Sequence, residues 1–452
     1  MEQSASKIDM LNGSLLDKLL LFALPLAASN IFQQLFNSVD VAVIGHFASS
    51  QAQAAVGCNG PVINLMINFF VGISIGSNVI IANYIGKQEE NKIMDSVHTT
   101  MVIAIISGLF LLVVGIFLAG PILVIMDTPS DILDQAILYL KIYFIGMPFI
   151  MIYNFGSAIL RSVGDTKRPL YCLTLSGVVN VVLNLILVIV FHLDVAGVAI
   201  ATVISNVISA MIIWHFLSHE KEPVKLSYKK LSISKDELLK ILKIGLPASL
   251  QGLVFSVSNI CVQTELNSYG SDAVAGSAIA LNCEFFTYFI IASFVQTATT
   301  FTSQNFGAGN YDRCKKVFRL CLIFGMLFTG LASSIFLLGR EFFVSLFTSD
   351  PAVMKYAIKR MFFILTFNFF ANTYEVGGSA LRGIGYSMTP AVLTVFGTCI
   401  LRLVWVYVVC DMYPGFDVLM AVYPVSWVVT GVAVLSVYFI IRRKAFSTAR
   451  QA

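Results

Sequence analysis

Charge is what this 452-residue chain has least of: Asp, Glu, Lys and Arg make up only 12% of it. A soluble protein of ordinary composition carries about 25%. That shortage excludes a large water-facing surface. Histidine is also scarce, with five residues at 46, 98, 192, 215 and 219, and their dispersal gives no metal-ligand spacing. The eight cysteines, at 58, 172, 261, 283, 314, 321, 399 and 410, form no Cys-x-x-Cys pair. They read as small residues of an apolar interior rather than as redox or zinc ligands. No Walker loop is present, which excludes ATP binding by that motif. Gly72-Ile73-Ser74-Ile75-Gly76 matches a hydrolase elbow by letters. It lies inside a helical apolar run and not at a strand-to-helix turn, so no enzyme is expected from it, nor a cofactor. The net charge of +4 is no nucleic-acid signal.

What is abundant is apolar. Hydrophobic residues are 57% of the chain and phenylalanine alone numbers 36. Apolar runs of about 20 residues or more recur, the length that crosses a hydrocarbon core of about 30 Å. With no water there, backbone groups must bond within each segment, so the spans are helices. Twelve are expected, near 15–44, 54–85, 95–118, 133–160, 169–191, 195–217, 238–268, 274–305, 315–338, 352–381, 388–411 and 418–441. Residues 1–13 are polar and the first apolar run is too long for a cleavable leader, so that run reads as a retained span. Lys and Arg concentrate in the tail, the 2–3, 4–5, 8–9 and 10–11 loops, the stretch 218–237 and the C-terminus. The opposite loops hold only Arg340, Lys355, Lys359 and Arg360. By the positive-inside rule both termini are expected in the cytoplasm, with the chain in a bacterial inner membrane.

The chain also repeats itself at a step of about 221 residues. "LRSVGDTKRP" from Leu160 aligns with "LRGIGYSMTP" from Leu381, and "YIGKQEENK" from Tyr84 with "NFGAGNYDR" from Asn305, while Pro25 meets Pro247 one position out. The expected organisation is an N-terminal six-helix lobe (1–217), a polar linker (218–237) and a C-terminal six-helix lobe (238–452). Six spans is an even number and both halves enter from the same side. The repeats are therefore parallel, related by a pseudo-twofold axis along the membrane normal, in an all-α integral membrane fold.

Polar residues at helical spacing within a span mark a buried or wet face. Asn30, Gln33, Gln34, Asn37 and Asp40 form such a stripe on the first span, and Ser176, Asn180 and Asn184 on the fifth. With Thr202 of the sixth, Asp40, Asn180 and Asn184 would make an oxygen-rich cluster for Na⁺ or a proton-bearing carboxylate. Helix–helix hydrogen bonding is the competing reading. The C-terminal half is more ionic. Gln251, Ser258 and Glu265 line the seventh span, and Asn282 with Glu284 begins the eighth. Asn368, Asn372, Glu375, Ser379 and Arg382 run down the tenth, and Thr394, Thr398 and Arg402 line the eleventh. Arg402 needs a partner, for which Glu375 or Glu265 is the candidate. The acids outnumber Arg402 and the near-interface Lys141, which favours cationic cargo.

With "LPLAASNIFQQLFNSVDVAVIGHF", the paired "LRSVGDTKRP" and "LRGIGYSMTP", "TSQNFGAGN" and "NVVLNLILVIVFHLDVAGVAIATVIS" in order, the whole chain resembles the multidrug and toxic compound extrusion (MATE) transporters. The resemblance implies two six-helix lobes around a V-shaped cleft. It implies export of small organic cations by alternating access, in exchange for Na⁺ or H⁺, by a chain that acts as a monomer in the lipid bilayer. Asp40, Asn180 and Thr202 match the family's ion-coupling residues, which makes them the ligands for a Na⁺. Asn184 stands where members often carry a second acid. Gln34, Asn37, Glu265, Glu284, Asn372, Glu375 and Arg402 are the expected substrate-cavity residues. The alternative activity is flipping of a lipid-linked saccharide, within the same larger fold group.

Overall fold

The computed structural model describes residues 7–451, so residues 1–6 of the expected N-terminal lobe and Ala452 lie outside the description. Every regular element among the described residues is helical. In chain order the long ones are α1 (Leu16–Phe47), α2 (Gln51–Lys87), α3 (Glu90–Ile125), α5 (Lys167–Val190), α6 (Asp194–Ser218), α7 (Lys235–Asn267), α8 (Ser271–Gly307), α9 (Tyr311–Leu338), α11 (Met388–Met412) and α12 (Phe416–Thr448). These ten are long and apolar enough to cross a membrane. Between α3 and α5, α4 has two arms, Ser130–Ile145 and Met147–Ser162, bent by 47°. Between α9 and α11, α10 is split into Pro351–Phe367 and Ala371–Gly383 by a single 3₁₀ turn, Asn368–Phe370. Each of the twelve expected spans thus has a counterpart.

The repeat is visible in backbone detail. After α4, Gly164 adopts φ +90° and after α10, Gly385 adopts φ +93°. Both close the same helix end. The Asp165 amide donates to the Leu160 carbonyl (3.0 Å) and the Tyr386 amide to that of Leu381 (2.9 Å). The left-handed residue satisfies carbonyls that a helix terminus would otherwise leave bare. A second pair of turns repeats at the same step. Glu89 donates to Tyr84 (3.1 Å) and Asn310 to Asn305 (2.8 Å), through left-handed Gln88 (φ +60°) and Gly309 (φ +73°).

The contacts divide the chain into two compact units. One holds residues up to Ile8 and Ala28–Gly245; the other holds Asp9–Ala27 and Leu246–Ala452. The expected boundaries at 217 and 238 differ from these, because the first helix of each repeat is itself divided, just after Pro25 in α1 and just before Pro247 in α7. A proline removes one rung of the helical ladder, which makes such a position a natural seam. The packing explains the membership. Phe22 of α1 meets Phe301 of α8 edge-to-face at 5.3 Å, and Asn305 and Arg313 bond the Met10 carbonyl. In the other unit, α7 lies directly on α2. A Cβ on Gly76 would stand 2.3 Å from the Ile241 carbonyl oxygen, and one on Gly245 2.6 Å from the Ile73 Cα.

The linker is folded onto the first unit. The Ser227 amide donates to His98 Nε2 (3.2 Å) and the Ser234 amide to Thr99 Oγ1 (3.0 Å), while Val224 and Leu226 are buried. Buried Glu237 accepts from Tyr84 (3.0 Å), Ser96 (3.1 Å) and Lys240 (2.8 Å). Glu220 is ion-paired with both Lys7 and Arg168. Burial works against its ionisation, but these two cations outweigh it and hold the carboxyl below the usual glutamate range.

Two predictions follow from this packing. Gly76→Leu or Gly245→Leu overpacks the α2–α7 contact and lowers stability by about 1–3 kcal/mol. Gly252→Ala on α7 has open space around it and is neutral or gains up to about 1 kcal/mol. Thermal unfolding of the purified proteins in detergent reads both. Because Glu220 has a depressed carboxyl, its contribution is complete at neutral pH and is lost as the pH falls below the ordinary carboxylate range. The stability gap between the natural protein and Glu220→Gln should therefore close on acidification; a gap that widens in acid contradicts the assignment.

Candidate functional site

In the first unit, the packing of α1 on α5 sets the register of the polar groups. The Phe36 ring fills the notch at Gly177, where a Cβ would stand 2.0 Å from the ring. One turn beyond Phe36 is Asp40; one and two turns beyond Gly177 are Asn180 and Asn184. Asn184 donates through Nδ2 to the Asp40 carboxylate and also to Asn180 Oδ1 (3.3 Å). Asn180 in turn donates to Thr202 Oγ1 on α6 (3.4 Å), and Thr202 donates to the Val198 carbonyl (2.9 Å). Asp40, Asn184, Asn180 and Thr202 are thus one chain of hydrogen bonds. Asn184 is fully buried, yet its Oδ1 has no partner. A buried amide oxygen left bare costs about 1–3 kcal/mol. The cluster has one carboxylate and three neutral oxygen-bearing side chains, a hard-donor set.

The rest of the first-span stripe does not join it. Asn37 is exposed and Gln34 half-buried, and no hydrogen bond among the described residues links either side chain to Asp40. Ser176 is satisfied by its own helix, donating to the Leu173 carbonyl at 3.1 Å. Sequence reasoning missed Tyr139 and Tyr143. They lie one turn apart on α4, with ring centroids 5.9 Å apart, and both feel the Asp40 charge. Their i, i+4 spacing within an apolar helix was the available signal.

The second unit differs from expectation at several residues. Arg360 is no outer-loop charge. It is buried in the first arm of α10 and forks onto Glu284, Nε to Oε1 at 2.7 Å and Nη2 to Oε2 at 2.9 Å. Pro351 starts that helix, so Arg360 lies more than two turns inside it, and this was the readable clue. Arg402 pairs with neither Glu375 nor Glu265. Its Nη1 donates to Asn259 Oδ1 (2.9 Å), its Nε to Ser426 Oγ (3.2 Å), and it lies over the rings of Tyr423 (4.6 Å) and Phe255 (5.2 Å). Arg382, two turns beyond Glu375 on α10, donates to Gln251 Oε1 (2.7 Å). Asn372 is fully buried and bonds Thr329 (3.3 Å) and the Phe369 carbonyl (3.1 Å), which ties it to the α10 break. Thr398 shares a 2.9 Å hydrogen bond with Thr430. Glu265 is half-buried near the end of α7, where Tyr269 and Cys410 feel its charge. No group of three or more His, Cys, Asp or Glu able to hold a metal occurs among the described residues.

Comparison with known proteins agrees with this architecture. The MatE family model matches residues 25–186 and again 247–408, beginning at the two prolines that divide α1 and α7. The probable multidrug resistance protein YoeA of Bacillus subtilis is 28% identical over 383 residues, covering 83% of this chain and 83% of that protein. The multidrug export protein MepA of Staphylococcus aureus is 25% identical over 369 residues, covering 81% and 79%. A solved structure described as MATE in the bent conformation superposes with a TM-score of 0.91 at 20% identity, over 98% of this chain and 99% of that one, a likeness of fold. With the family matched twice, once in each repeat of an all-helical multi-pass membrane protein, the chain belongs to the MatE family, the multidrug and toxic compound extrusion transporters.

Proposed function

We propose that the chain is a secondary active exporter of small organic molecules, working by alternating access and driven by inward movement of Na⁺ or H⁺ taken up at Asp40. The observation that carries this reading is the bare, buried Asn184 Oδ1 beside the cluster's one carboxylate. A bound cation would satisfy that oxygen, and rotation of the amide would bring Asn180 Oδ1 and Thr202 Oγ1 to bear as further ligands. A proton on Asp40 would act on the same network, turning an acceptor into a donor for an oxygen that lacks one. The relatives named as multidrug resistance and multidrug export proteins support the cargo class. The Lys and Arg bias supports a cytoplasmic position for both termini and the linker.

Coupling requires that ion and cargo favour opposite states; tight binding without such a difference moves nothing. The charge pattern of the second unit alters the expected cargo. Glu284 is held by a two-pronged ion pair from Arg360, so its charge is already met when a cargo arrives.

Asp40→Asn should reduce drug export to background while leaving expression intact. Proteoliposomes with an imposed Na⁺ or H⁺ gradient, each applied alone, are the direct assay. Export by Asp40→Asn at the natural rate, or export indifferent to both gradients, rejects the coupling site. Gly177→Leu displaces Phe36 and costs about 1–3 kcal/mol of stability. It should also lower export in proportion to lost register, which Gly177→Ala, a smaller intrusion, does less.

A further inference from the structure

Arg402 is a buried charge of the second unit that meets no acid. Its side chain is 1% exposed, among the largest fully buried in the protein. Among the described residues no carboxylate forms an ion pair with it. Its hydrogen-bond acceptors are a neutral amide, Asn259, and a neutral hydroxyl, Ser426, and the hydroxyl's own proton goes to the Tyr423 carbonyl (2.8 Å). Of the other buried guanidiniums of this unit, Arg360 forks onto Glu284, whereas Arg382 donates to the neutral amide of Gln251. A buried cation held only by neutral groups is an expensive arrangement, for which an apolar replacement would serve stability better. Retaining an arginine there calls for a use.

The backbone around it is also irregular. Arg402 lies on a four-residue α-helical turn, Leu401–Val404, between two π-helical segments, Val395–Ile400 and Trp405–Val409. π-Helical insertions weaken the ladder and concentrate at functional sites. The surroundings specify a ligand. Two aromatic rings, Phe255 and Tyr423, face the guanidinium. Asn259 Oδ1 occupies the position at 2.9 Å that a carboxylate oxygen would take, and Asn259 is on the exposed surface of α7, free to turn aside.

We propose that Arg402 is a binding residue for the carboxylate of an aromatic, carboxylate-bearing organic molecule, with Asn259 as the stand-in that the carboxylate displaces. Exchange of a neutral acceptor for a carboxylate converts an ordinary hydrogen bond into a charge-assisted one, and the planar fork offers parallel donors that an ammonium could not. Phe255 and Tyr423, which hold the guanidinium between them, leave their ring edges for the flat body of the ligand to meet edge-to-face. The inference deepens the export reading by naming a cargo class, and it rests on that reading only in calling the ligand a cargo.

The test is equilibrium binding to the purified full chain, which needs no ion gradient, so its result stands apart from the outcome at Asp40. The probes are a fluoroquinolone carboxylic acid and its ethyl ester, followed by their own fluorescence anisotropy. The natural protein should bind the acid at least about tenfold more tightly than the ester. Arg402→Gln should abolish that preference by weakening the acid alone, and Arg402→Lys should restore part of it. Asn259→Asp supplies Arg402 with an internal carboxylate and stays informative if Arg402→Gln does not fold. It should weaken the acid and spare the ester. Equal affinity for acid and ester in the natural protein overturns the proposal. So does a preference that survives in Arg402→Gln or in Asn259→Asp.

Discussion

Inside the apolar span of each helix there is no water to accept an unpaired polar group or to screen a charge. That constraint organises the rest of the structure. It makes every span a helix, and it obliges each buried side chain to find a partner by geometry. Most succeed. Glu237 gathers three donors, Asn305 bonds the Met10 and Phe301 carbonyls, and Glu284 is met by a fork from Arg360. Two arrangements bear on function: Asn184, whose buried Oδ1 is bare beside the Asp40 carboxylate, and Arg402, whose guanidinium meets an amide, a hydroxyl and two rings instead of a carboxylate.

Backbone and side chains obey different symmetries. The helix ends at Gly164 and Gly385 share one hydrogen-bond pattern, and so do the turns at Gln88 and Gly309. Those are local demands, met by whichever residue tolerates a left-handed conformation. Apart from Arg161 and Arg382, which share one position of the repeat, the charged residues of the candidate sites have no such duplicate. Asp40 corresponds to Cys261 at the repeat step, Glu375 to Asn154 and Arg402 to Val181. Duplication preserved what a helix needs to stop and turn, while the polar interior of each unit diverged. One unit kept a single acid among amides. The other acquired acids and guanidiniums that largely cancel.

The sequence made the architecture legible because the bilayer constraint acts on composition and run length, both of which a single chain displays. Asp40, Asn180, Asn184 and Thr202 were likewise findable, since three of them share a helical stripe or neighbour one in a short apolar helix pair. What periodicity cannot supply is the identity of the facing residue. Arg402 was expected to meet Glu375 or Glu265, yet it points at Asn259 and Ser426. Asn372 sat on the same stripe as Glu375, but its side chain turns inward to Thr329. A stripe fixes a direction around one helix; the partner depends on how neighbouring helices are rotated and on how far a long side chain reaches. The division of α1 and α7 within a helix was also hidden, because a proline in an apolar run signals a weak rung and says nothing of which residues pack on either side.

The two sites also bear on leakage, the central difficulty for any exporter. A charge that is tolerable while water reaches it becomes costly once water is excluded. If Asp40 takes up the coupling cation and Arg402 a cargo carboxylate, as proposed above, both sites would have this property, with opposite sign. Closing around either would then be favoured when it is filled and opposed when it is empty, and occupancy would gate the conformational change through desolvation. Glu284, already met by the fork from Arg360, would present no comparable penalty.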